Sequence, residues 1–372
     1  MLSKPNQEVH RRSDNLRRYR AIRQALTQCY PGEPSGQMAR HLNTLAALIS
    51  GIVGSKSSQL PSIATNIPDA AKPESRVKRL TRWLKNDRIE EGVYFLPYAD
   101  ILLSHLALET VVLVMDGSGV GDGCSALMIH VLYKGRALPL AWRVRGCPKG
   151  HFPQSLHIEV VELIRDLIPE GTEVVFLGDG EFDGVGLQET LNAAGWLYAC
   201  RTSTSTTVTW EGETFALEEL GWSLKAGRRI ELKEVEFTQD AYGPVMVLCC
   251  WAKGEAEPLY WVSNMASAEE AISYYQKRFR IETFFSDQKS RGFNIHKSHL
   301  RDAQRLSRLL IAACLAYIWV VYLGSLCKKD GWQGVIHRRK RCDLSLFQLG
   351  IRLLEHFLNE GLPLPVQFHV VI

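Results

Sequence analysis

Hydrophobic positions recur with helical spacing at both ends of the chain and with strand spacing between them. Residues 1–108 follow a helical period, and in "SRVKRLTRWLKN" the apolar side chains share one face. From residue 111 the hydrophobic pattern changes to the strand-like apolar runs "VVLVMD", "CSALMIHVLY" and "RALPLAWRVR". The dipeptide "KG" between the second and third runs predicts a tight hairpin. The pattern predicts a small helical domain followed by three strands.

After the third strand the pattern alternates between the two element types. The helix-periodic run "PQSLHIEVVELIRDLI" precedes the strand "TEVVFLGD", and "VGLQETLNAAG" precedes the strand "WLYAC". Strand-like runs separated by Gly, Pro and Asp then fill residues 202–263, before helical periodicity resumes. We therefore expect an α/β core at 109–201 and 264–325, a β-rich insertion at 202–263, and a helical C-terminal segment at 326–372.

The longest apolar run, "LLIAACLAYIWVVYL" at 309–323, indicates a buried helix of the core, because 15 residues are short for a membrane span. The Arg-rich N-terminus lacks the apolar segment of a signal peptide. The nine cysteines include no CxxC pair, so neither a disulfide framework nor a zinc site is expected. These features predict a protein of a reducing cytosol, with no membrane partner.

The positive charge of the chain is concentrated in three clusters, although the net charge is only +4. Residues 1–23 hold seven Lys or Arg against two acids, residues 76–88 hold six against one, and "HRRKR" occupies 337–341. One such cluster is ordinary solubilising surface, but three are typical of a protein that binds a polyanion. We therefore expect the helical segment 1–108 to bind DNA, although it carries no clear helix-turn-helix signature.

Two acids directly follow apolar runs of strand type: Asp116 follows "VVLVM" and Asp179 follows "TEVVFLG". Side chains at the carboxyl ends of strands in an α/β sheet project into the crevice where ligands bind. With a third acid they would offer the oxygen ligands that Mg²⁺ prefers. Each is also followed by Gly, so a turn is the simpler alternative. Asp122 and Asp183 compete for the same roles.

The stretch "YYQKRFRIETFFSDQK" at 274–289 places an acid among cations and aromatic rings. At about 100° per residue, four polar residues of this stretch fall within an arc of roughly 60° of one helix. They are Tyr275, Arg278, Glu282 and Lys289. An i,i+4 pair between Arg278 and Glu282 explains only two of them. A stripe along a nucleic-acid backbone explains all four, with the acid on a metal ion and the others on phosphates.

The spacing Tyr-x2-Arg-x3-Glu-x6-Lys, with "VMDGS" and "LGDGEFDG", resembles the signature of the bacterial DDE transposases of the insertion-sequence-four family. The resemblance covers roughly residues 111–325 and implies a ribonuclease H-like catalytic core interrupted by the β-rich insertion. It implies that Asp116, Asp179 and Glu282 are the catalytic triad and hold two Mg²⁺ ions, for which Mn²⁺ can substitute. Expected DNA contacts, including an insertion tryptophan that stacks on a flipped base, are Tyr275, Arg278, Lys289, Trp210 and Trp222.

The resemblance implies a transposase that cleaves DNA at the terminal inverted repeats of an insertion sequence and joins the ends to target DNA. It also implies a homodimer in the active complex, and a location in the bacterial cytosol with the nucleoid. One departure is Gly180, where relatives often carry Arg. Two alternatives stay open: a nuclease of the same fold that cuts without joining, and an inactive copy that only binds DNA.

Overall fold

The computed structural model describes residues 4–106, 110–147 and 150–370, with helices at both ends and ten strands between them. The N-terminal helices are α1 (Lys4–Gln28), α2 (Gly36–Ser55), α3 (Leu60–Ala64), α4 (Pro73–Leu84), α5 (Glu91–Tyr94) and α6 (Leu96–Leu106). The strands are β1 (Val111–Gly121), β2 (Cys124–Tyr133), β3 (Arg136–Arg145), β4 (Val174–Gly178), β5 (Leu197–Arg201), β6 (Thr207–Trp210), β7 (Glu213–Ala216), β8 (Arg228–Phe237), β9 (Tyr242–Trp251) and β10 (Leu259–Ser263). The remaining helices are α7 (Gln154–Arg165), α8 (Val185–Ala193), α9 (Glu218–Trp222), α10 (Ala268–Tyr275), α11 (Ile281–Gln288), α12 (Ala303–Lys329), α13 (Gln333–Ile336) and α14 (Leu346–Asn359).

The ten described strands form one sheet in the order β3-β2-β1-β4-β5-β10-β9-β8-β6-β7. Strands β1, β4 and β5 are parallel to one another, as the crossovers through α7 and α8 require. The predicted succession of three strands, then helix, strand, helix and strand, is confirmed. The strands of 202–263 continue the same sheet, because β10 pairs antiparallel with β5. The fold is therefore mixed α/β, with one large sheet.

The register between β1 and β4 sets the position of the two acids. Val114 lies opposite Leu177 in the parallel pair. Two residues further along each strand, Asp116 and Asp179 are therefore level with each other and point to the same side of the sheet. The expectation that Asp116 ends its strand is wrong, because pairing with β2 extends β1 to Gly121. Pairing with β4, however, does end at Val114, so Asp116 is exposed on that side.

Helix α12 forms the centre of the helical half of the protein. Among the described helices it is the one long and apolar enough to cross a membrane, and 89% of its most apolar window is buried inside the protein. It packs against α14, α2 and β3, because apolar side chains surround it on all faces. The predicted buried helix is confirmed, and Asp302 caps its N-terminus by accepting a hydrogen bond from the Arg305 amide.

Two arginines join the N-terminal helices to the C-terminal ones. Arg17 of α1 donates hydrogen bonds to carbonyl oxygens at the end of α14, including that of Leu358 at 2.9 Å. Arg308 of α12 is buried and donates to the carbonyl oxygens of Leu84 and Ile89 at 2.9 and 3.1 Å. These bonds satisfy buried carbonyl groups, so the helices before the sheet are anchored to those after it.

Candidate active site

Asp116 and Asp179 converge at the carboxyl edge of the parallel strands, each two residues beyond the last β1–β4 pair, Val114 with Leu177. One oxygen of each is fixed by backbone, since the Gly117 amide donates to Asp116 at 2.7 Å and the Glu181 amide donates to Asp179 at 3.0 Å. The other oxygens, both Oδ2, lie 3.7 and 3.8 Å from the same nitrogen, Nη1 of Arg278. The two carboxylates therefore face one point that accommodates a cationic group.

The two competing acids are engaged elsewhere. Asp122 pairs with Arg301 at 2.6 Å on the exposed surface. Asp183 is hydrogen-bonded to Thr202, and burial raises the pKa of its carboxyl, with a smaller contribution from the charge of Asp179. The geometry thus favours Asp116 and Asp179 for a site at this edge.

Two polar atoms beside the carboxylates are buried without a hydrogen-bond partner in the described part of the chain, namely Tyr275 Oη and Arg278 Nη1. The Tyr275 ring packs edge-on against Trp261, with centroids 5.5 Å apart, and the Arg278 guanidinium lies 5.9 Å from the Tyr275 centroid. Burial raises the pKa of Tyr275, so its hydroxyl is a neutral donor. Buried donors are nearly always satisfied in native proteins. These two atoms therefore indicate a ligand rich in acceptors, such as a phosphate.

Lys289 reaches the same edge of the sheet from the end of α11. Its Nζ donates a hydrogen bond to Ser118 Oγ at 2.7 Å. Ser118 is two residues beyond Asp116 on β1, so the two side chains share one face of the strand. No sequence motif marked Ser118, although its i+2 spacing from a candidate acid was the available signal.

The helix that carries Glu282 is interrupted, so the expectation that Tyr275, Arg278, Glu282 and Lys289 lie along one helix is wrong. Helix α10 ends at Tyr275, a 3₁₀ turn occupies Arg278–Arg280, and α11 begins at Ile281. Lys289 itself has the non-helical angles φ −95° and ψ −121°. The signature residues approach the site through tertiary contacts with β1 and β4, and not as a stripe on one straight helix.

Glu282 lies in the first turn of α11, and its side chain is exposed. The helix packs against β1 and β3, so Glu282 belongs to the element next to the candidate site. Across residues 4–106, 110–147 and 150–370, Glu282 has no hydrogen bond or ion pair, and no group of three or more His, Cys, Asp or Glu side chains is arranged to hold a metal ion. The structure brings Asp116 and Asp179 together but leaves the third acid apart.

A buried ion pair fixes α11 to the sheet. Arg136 at the start of β3 donates to Asp287 Oδ2 at 2.8 Å, and both side chains are nearly inaccessible to solvent. Burial raises the pKa of Asp287 to about 6, and the attraction of Arg136 offsets this only in part. One turn earlier, Phe284 packs edge-on against the buried ring of His130, with centroids 4.4 Å apart. Sequence patterns did not single out either contact, because the partners are more than 100 residues apart.

A loop held by Glu181 closes one side of the site. Glu181 accepts a hydrogen bond from the Phe152 amide, and its carboxylate oxygens lie 3.5 Å from His157 Nε2 and 3.6 Å from His151 Nδ1. Burial raises the pKa of Glu181, but the bonds from His157 and the Phe152 amide outweigh this and lower it. The Phe152 ring covers Gly117, where a Cβ would lie 2.6 Å from it. No local pattern in the sequence indicated this support for the residue next to Asp116.

The two insertion tryptophans occupy different surroundings. Trp210 lies on β6, five strands from β4 and thus about 24 Å away along the sheet, and its Nε1 donates to the Lys233 carbonyl at 3.0 Å. Trp222 is 74% exposed at the end of α9. That helix abuts Tyr260, near the start of β10 and beside the carboxyl end of β5. Trp222 is therefore at the same edge of the sheet as Asp179, whereas Trp210 is distant and bonded.

The residues at this edge fit a hard divalent cation. Asp116 and Asp179 each direct one oxygen to a point where Arg278 now supplies positive charge, and carboxylate oxygen is the preferred ligand of Mg²⁺. Glu282, one helical turn beyond Arg278 in the chain, is exposed and does not join them among the described residues. The donor set suits Mg²⁺ or Mn²⁺ in chemistry, with two of the three acids already convergent.

Comparison with known proteins gives one clear result. A family model described as "Transposase DDE domain" matches residues 109–319, more than half of the chain. Among solved structures, the chain is similar to a piggyBac transposase in a cryo-EM synaptic complex with hairpin DNA, at 12% identity and a TM-score of 0.46, with 95% of this chain and 80% of that chain covered. A likeness at this score carries no argument about the site. No curated protein matches the chain significantly.

Proposed function

The chain belongs to the transposase DDE-domain family, and from this premise we propose that it cleaves DNA at the ends of a mobile element and transfers those ends into target DNA. The observation that carries the proposal is the pair Asp116 and Asp179, level on adjacent parallel strands with Oδ2 atoms 3.7 and 3.8 Å from one nitrogen of Arg278. Two convergent carboxylates beside unsatisfied phosphate-type donors are suited to phosphodiester chemistry.

We propose further that the core is ribonuclease H-like and that the protein is of the insertion-sequence-four type. The strand order β3-β2-β1-β4-β5, with β1, β4 and β5 parallel, supports the first statement. The four-residue spacing at 275–289 supports the second. In this proposal residues 1–108 bind DNA, 109–201 and 264–325 form the core, and 326–372 is a helical appendage.

Asp116, Asp179 and Glu282 would hold two Mg²⁺ or Mn²⁺ ions. Bound there, the ions would activate the attacking oxygen and stabilise the leaving oxygen of a phosphodiester. The backbone amides of Gly117 and Glu181 fix the orientation of the two aspartates before any ligand arrives. This preorganisation lowers the entropy that must be lost when the reacting groups are aligned.

The remaining signature residues bind phosphate in this proposal. The Tyr275 hydroxyl donates one hydrogen bond, and Arg278 provides donors in a planar fork that matches phosphate oxygens. Lys289, whose ammonium group is hydrogen-bonded to Ser118 of β1, adds a positive charge for a phosphate further along the DNA strand. Together they neutralise charge and position the scissile bond, which is most of what a protein contributes to such a reaction.

The element has two ends, and this bears on the oligomeric state of the protein and on the role of its β-rich insertion. We propose a homodimer that pairs two terminal inverted repeats and acts in the bacterial cytosol with the nucleoid. Trp222 is exposed at the carboxyl edge of the sheet and is our candidate for stacking on a flipped base. We propose no such role for Trp210, whose indole is bonded to the Lys233 carbonyl.

The experiment that tests this function follows the fate of DNA ends. A resistance cassette would be placed between the DNA segments that flank the gene. Plasmids into which the cassette has been joined would then be counted for wild type and for Asp116→Asn. Joining by wild type alone would support a transposase dependent on Asp116. Cutting without joining by purified protein would establish a nuclease instead. DNA binding with neither reaction would establish an inactive copy.

Lys289→Ala is expected to weaken DNA binding. It should also make the negative slope of log affinity against log salt shallower by about 0.9, the value for one lost phosphate contact. Fluorescence anisotropy over a range of salt concentrations measures both quantities. Lys134→Ala is the matched control, because Lys134 lies in the turn between β2 and β3, at the opposite edge of the sheet from Asp116. Equal slopes for Lys289→Ala and wild type would remove Lys289 from the DNA interface.

A further inference from the structure

The three basic clusters of the sequence differ in their contacts in the folded protein. Cations of two clusters form hydrogen bonds or ion pairs with other parts of the chain. In the first cluster, Arg17 bonds to carbonyl oxygens of α14, and buried Arg18 bonds to Ser50 at 2.9 Å. In the second, Arg76 and Arg79 pair with Asp69 at 2.6 and 2.8 Å. Part of the charge that the sequence displays in these clusters therefore stabilises the fold.

The third cluster is placed differently. The side chains of residues 338–341 are exposed, and within the described part of the chain they form no ion pair and no hydrogen bond. The loop is nevertheless fixed at its start, because His337 Nε2 contacts Asp343 at 2.7 Å and His337 Nδ1 contacts Arg352 Nη1 at 3.3 Å. Arg338 is attracted to the Asp343 carboxylate, but four adjacent cations still repel one another, a cost that a bound polyanion would reduce.

A groove near this loop is lined by residues 291–293 and by helix α14, whose Arg352 contacts His337. Its volume is about 250 Å³, its floor includes Phe293 and Phe347, and its rim includes Arg291 and Arg352. Arg291 is two residues beyond Lys289, whose ammonium group is bonded on β1 beside Asp116. We name the set Arg291, Arg352 and 338–341 the C-terminal basic face.

The charge balance of this face favours a polyanion over other partners. With Lys56 on the rim of the groove it holds seven cations, against the three carboxylates of Asp287, Asp343 and Glu355. One of the seven, Lys56, is paired with Glu355 at 2.8 Å, so an excess of positive charge remains. Among its cations, Arg291 lies nearest in sequence to Lys289, which contacts Ser118 beside the candidate active site. Double-stranded DNA carries one negative charge per about 1.7 Å of its axis over its whole length, whereas a short acidic peptide does not.

We propose that the C-terminal basic face binds the phosphate backbone of the duplex DNA that extends from the candidate active site. The face contacts phosphates without reading bases, because its exposed groups are cations on a loop and on one helix surface. The inference rests on the proposed function for the identity of the ligand at the active site. DNA binding by the face can nonetheless be measured without any cleavage.

The test compares two charge-matched double variants of the full chain. Arg338→Gln with Lys340→Gln removes two cations from the face. Lys134→Gln with Arg165→Gln removes one Lys and one Arg from exposed positions at the opposite edge of the sheet. Binding to a 30-base-pair duplex of arbitrary sequence would be measured by anisotropy between about 0.05 and 0.3 M salt, the range in which phosphate contacts dominate affinity.

In the face variant, the negative slope of log affinity against log salt is expected to become shallower by about 1.8, for two lost phosphate contacts. This corresponds to roughly 60-fold weaker binding at 0.1 M salt. The control variant should match wild type in both quantities. Unchanged slope and affinity in the face variant would overturn the proposal. Loss of binding to polyglutamate with DNA binding retained would also overturn it, in favour of an acidic protein partner. Equal thermal melting of both variants and wild type is required, and Arg352→Gln, on helix α14, provides a second test if the loop variant does not fold.

The two proposals fail in distinguishable ways. If wild type binds DNA without cutting or joining it, the proposed transposition fails, while the salt slopes still decide the role of the face. If wild type cuts and joins while the face variant binds as wild type does, the face proposal alone fails.

Discussion

Glu282→Gln is expected to reduce cleavage of DNA ends by about 10³-fold or more, the order seen when one member of a catalytic unit is removed. The substitution keeps the shape of the side chain but removes the negative charge that a divalent cation requires. End binding should persist, because Glu282 is exposed and forms no hydrogen bond or ion pair across the described residues. Cleavage of a labelled end with Mg²⁺ or Mn²⁺, with binding measured in parallel, tests this.

Glu270→Gln is the matched control for that experiment, since Glu270 lies in the first turn of α10 as Glu282 lies in the first turn of α11. The control should cleave like wild type. If Glu282→Gln cleaves at the wild-type rate, Glu282 is not a metal ligand, and a different third acid must be sought. If it loses binding and cleavage together, Glu282 acts through DNA contact or folding, and thermal melting separates those two.

Electrostatics explains why Glu282 stands apart while its expected partners converge. Two unit charges 4 Å apart interact by about 4 kcal/mol at an effective dielectric constant of 20. A third carboxylate placed beside Asp116 and Asp179 would be repelled at that scale unless a cation were present. Arg278 offsets only one of the two negative charges in this structure, so a third carboxylate would still be repelled, and Glu282 lies in solvent.

Gly350→Ala is expected to destabilise the protein by about 3 kcal/mol, a cost typical of severe overpacking. Gly350 lies where α14 crosses α12, and a Cβ there would collide with the carbonyl oxygen of Val320. The contact is reciprocal, because a Cβ on Gly324 of α12 would collide with the carbonyl oxygen of Leu346. Backbone atoms cannot rotate aside as a flexible side chain can, so the two helices would have to separate. Chemical denaturation measures the change in the free energy of unfolding.

Gly92→Ala provides the control of opposite sign. Gly92 is in helix α5, and a Cβ there would have no atom within 4 Å. Alanine favours a helix over glycine by up to about 1 kcal/mol, so this variant should be neutral or more stable. If Gly350→Ala were as stable as Gly92→Ala, the crossing of α12 and α14 would not be held by close backbone contact, and the packing of the helical half would need another explanation.

Local patterns along the chain were enough to predict the strands around the site, the buried helix and the two neighbouring acids. Apolar runs and their periods record which residues are buried, and burial is a property of each local segment. Asp116 and Asp179 were found because each follows such a run, and parallel strands deliver their ends to one edge of a sheet. The transposase DDE-domain family was also predicted from local motifs, which can be recognised without a structure.

The tertiary structure alone decided which polar groups meet. Lys289 contacts Ser118, Glu181 contacts the Phe152 amide, and Arg136 contacts Asp287, all between segments that no local period relates. The break between α10 and α11 was likewise invisible, because the residues of the 3₁₀ turn have ordinary helix propensities. Three basic clusters looked alike in the sequence, yet only folding determines where carboxylates and carbonyl oxygens neutralise them. Ion pairs depend on distances between remote residues, and the order of residues along a chain does not specify those distances.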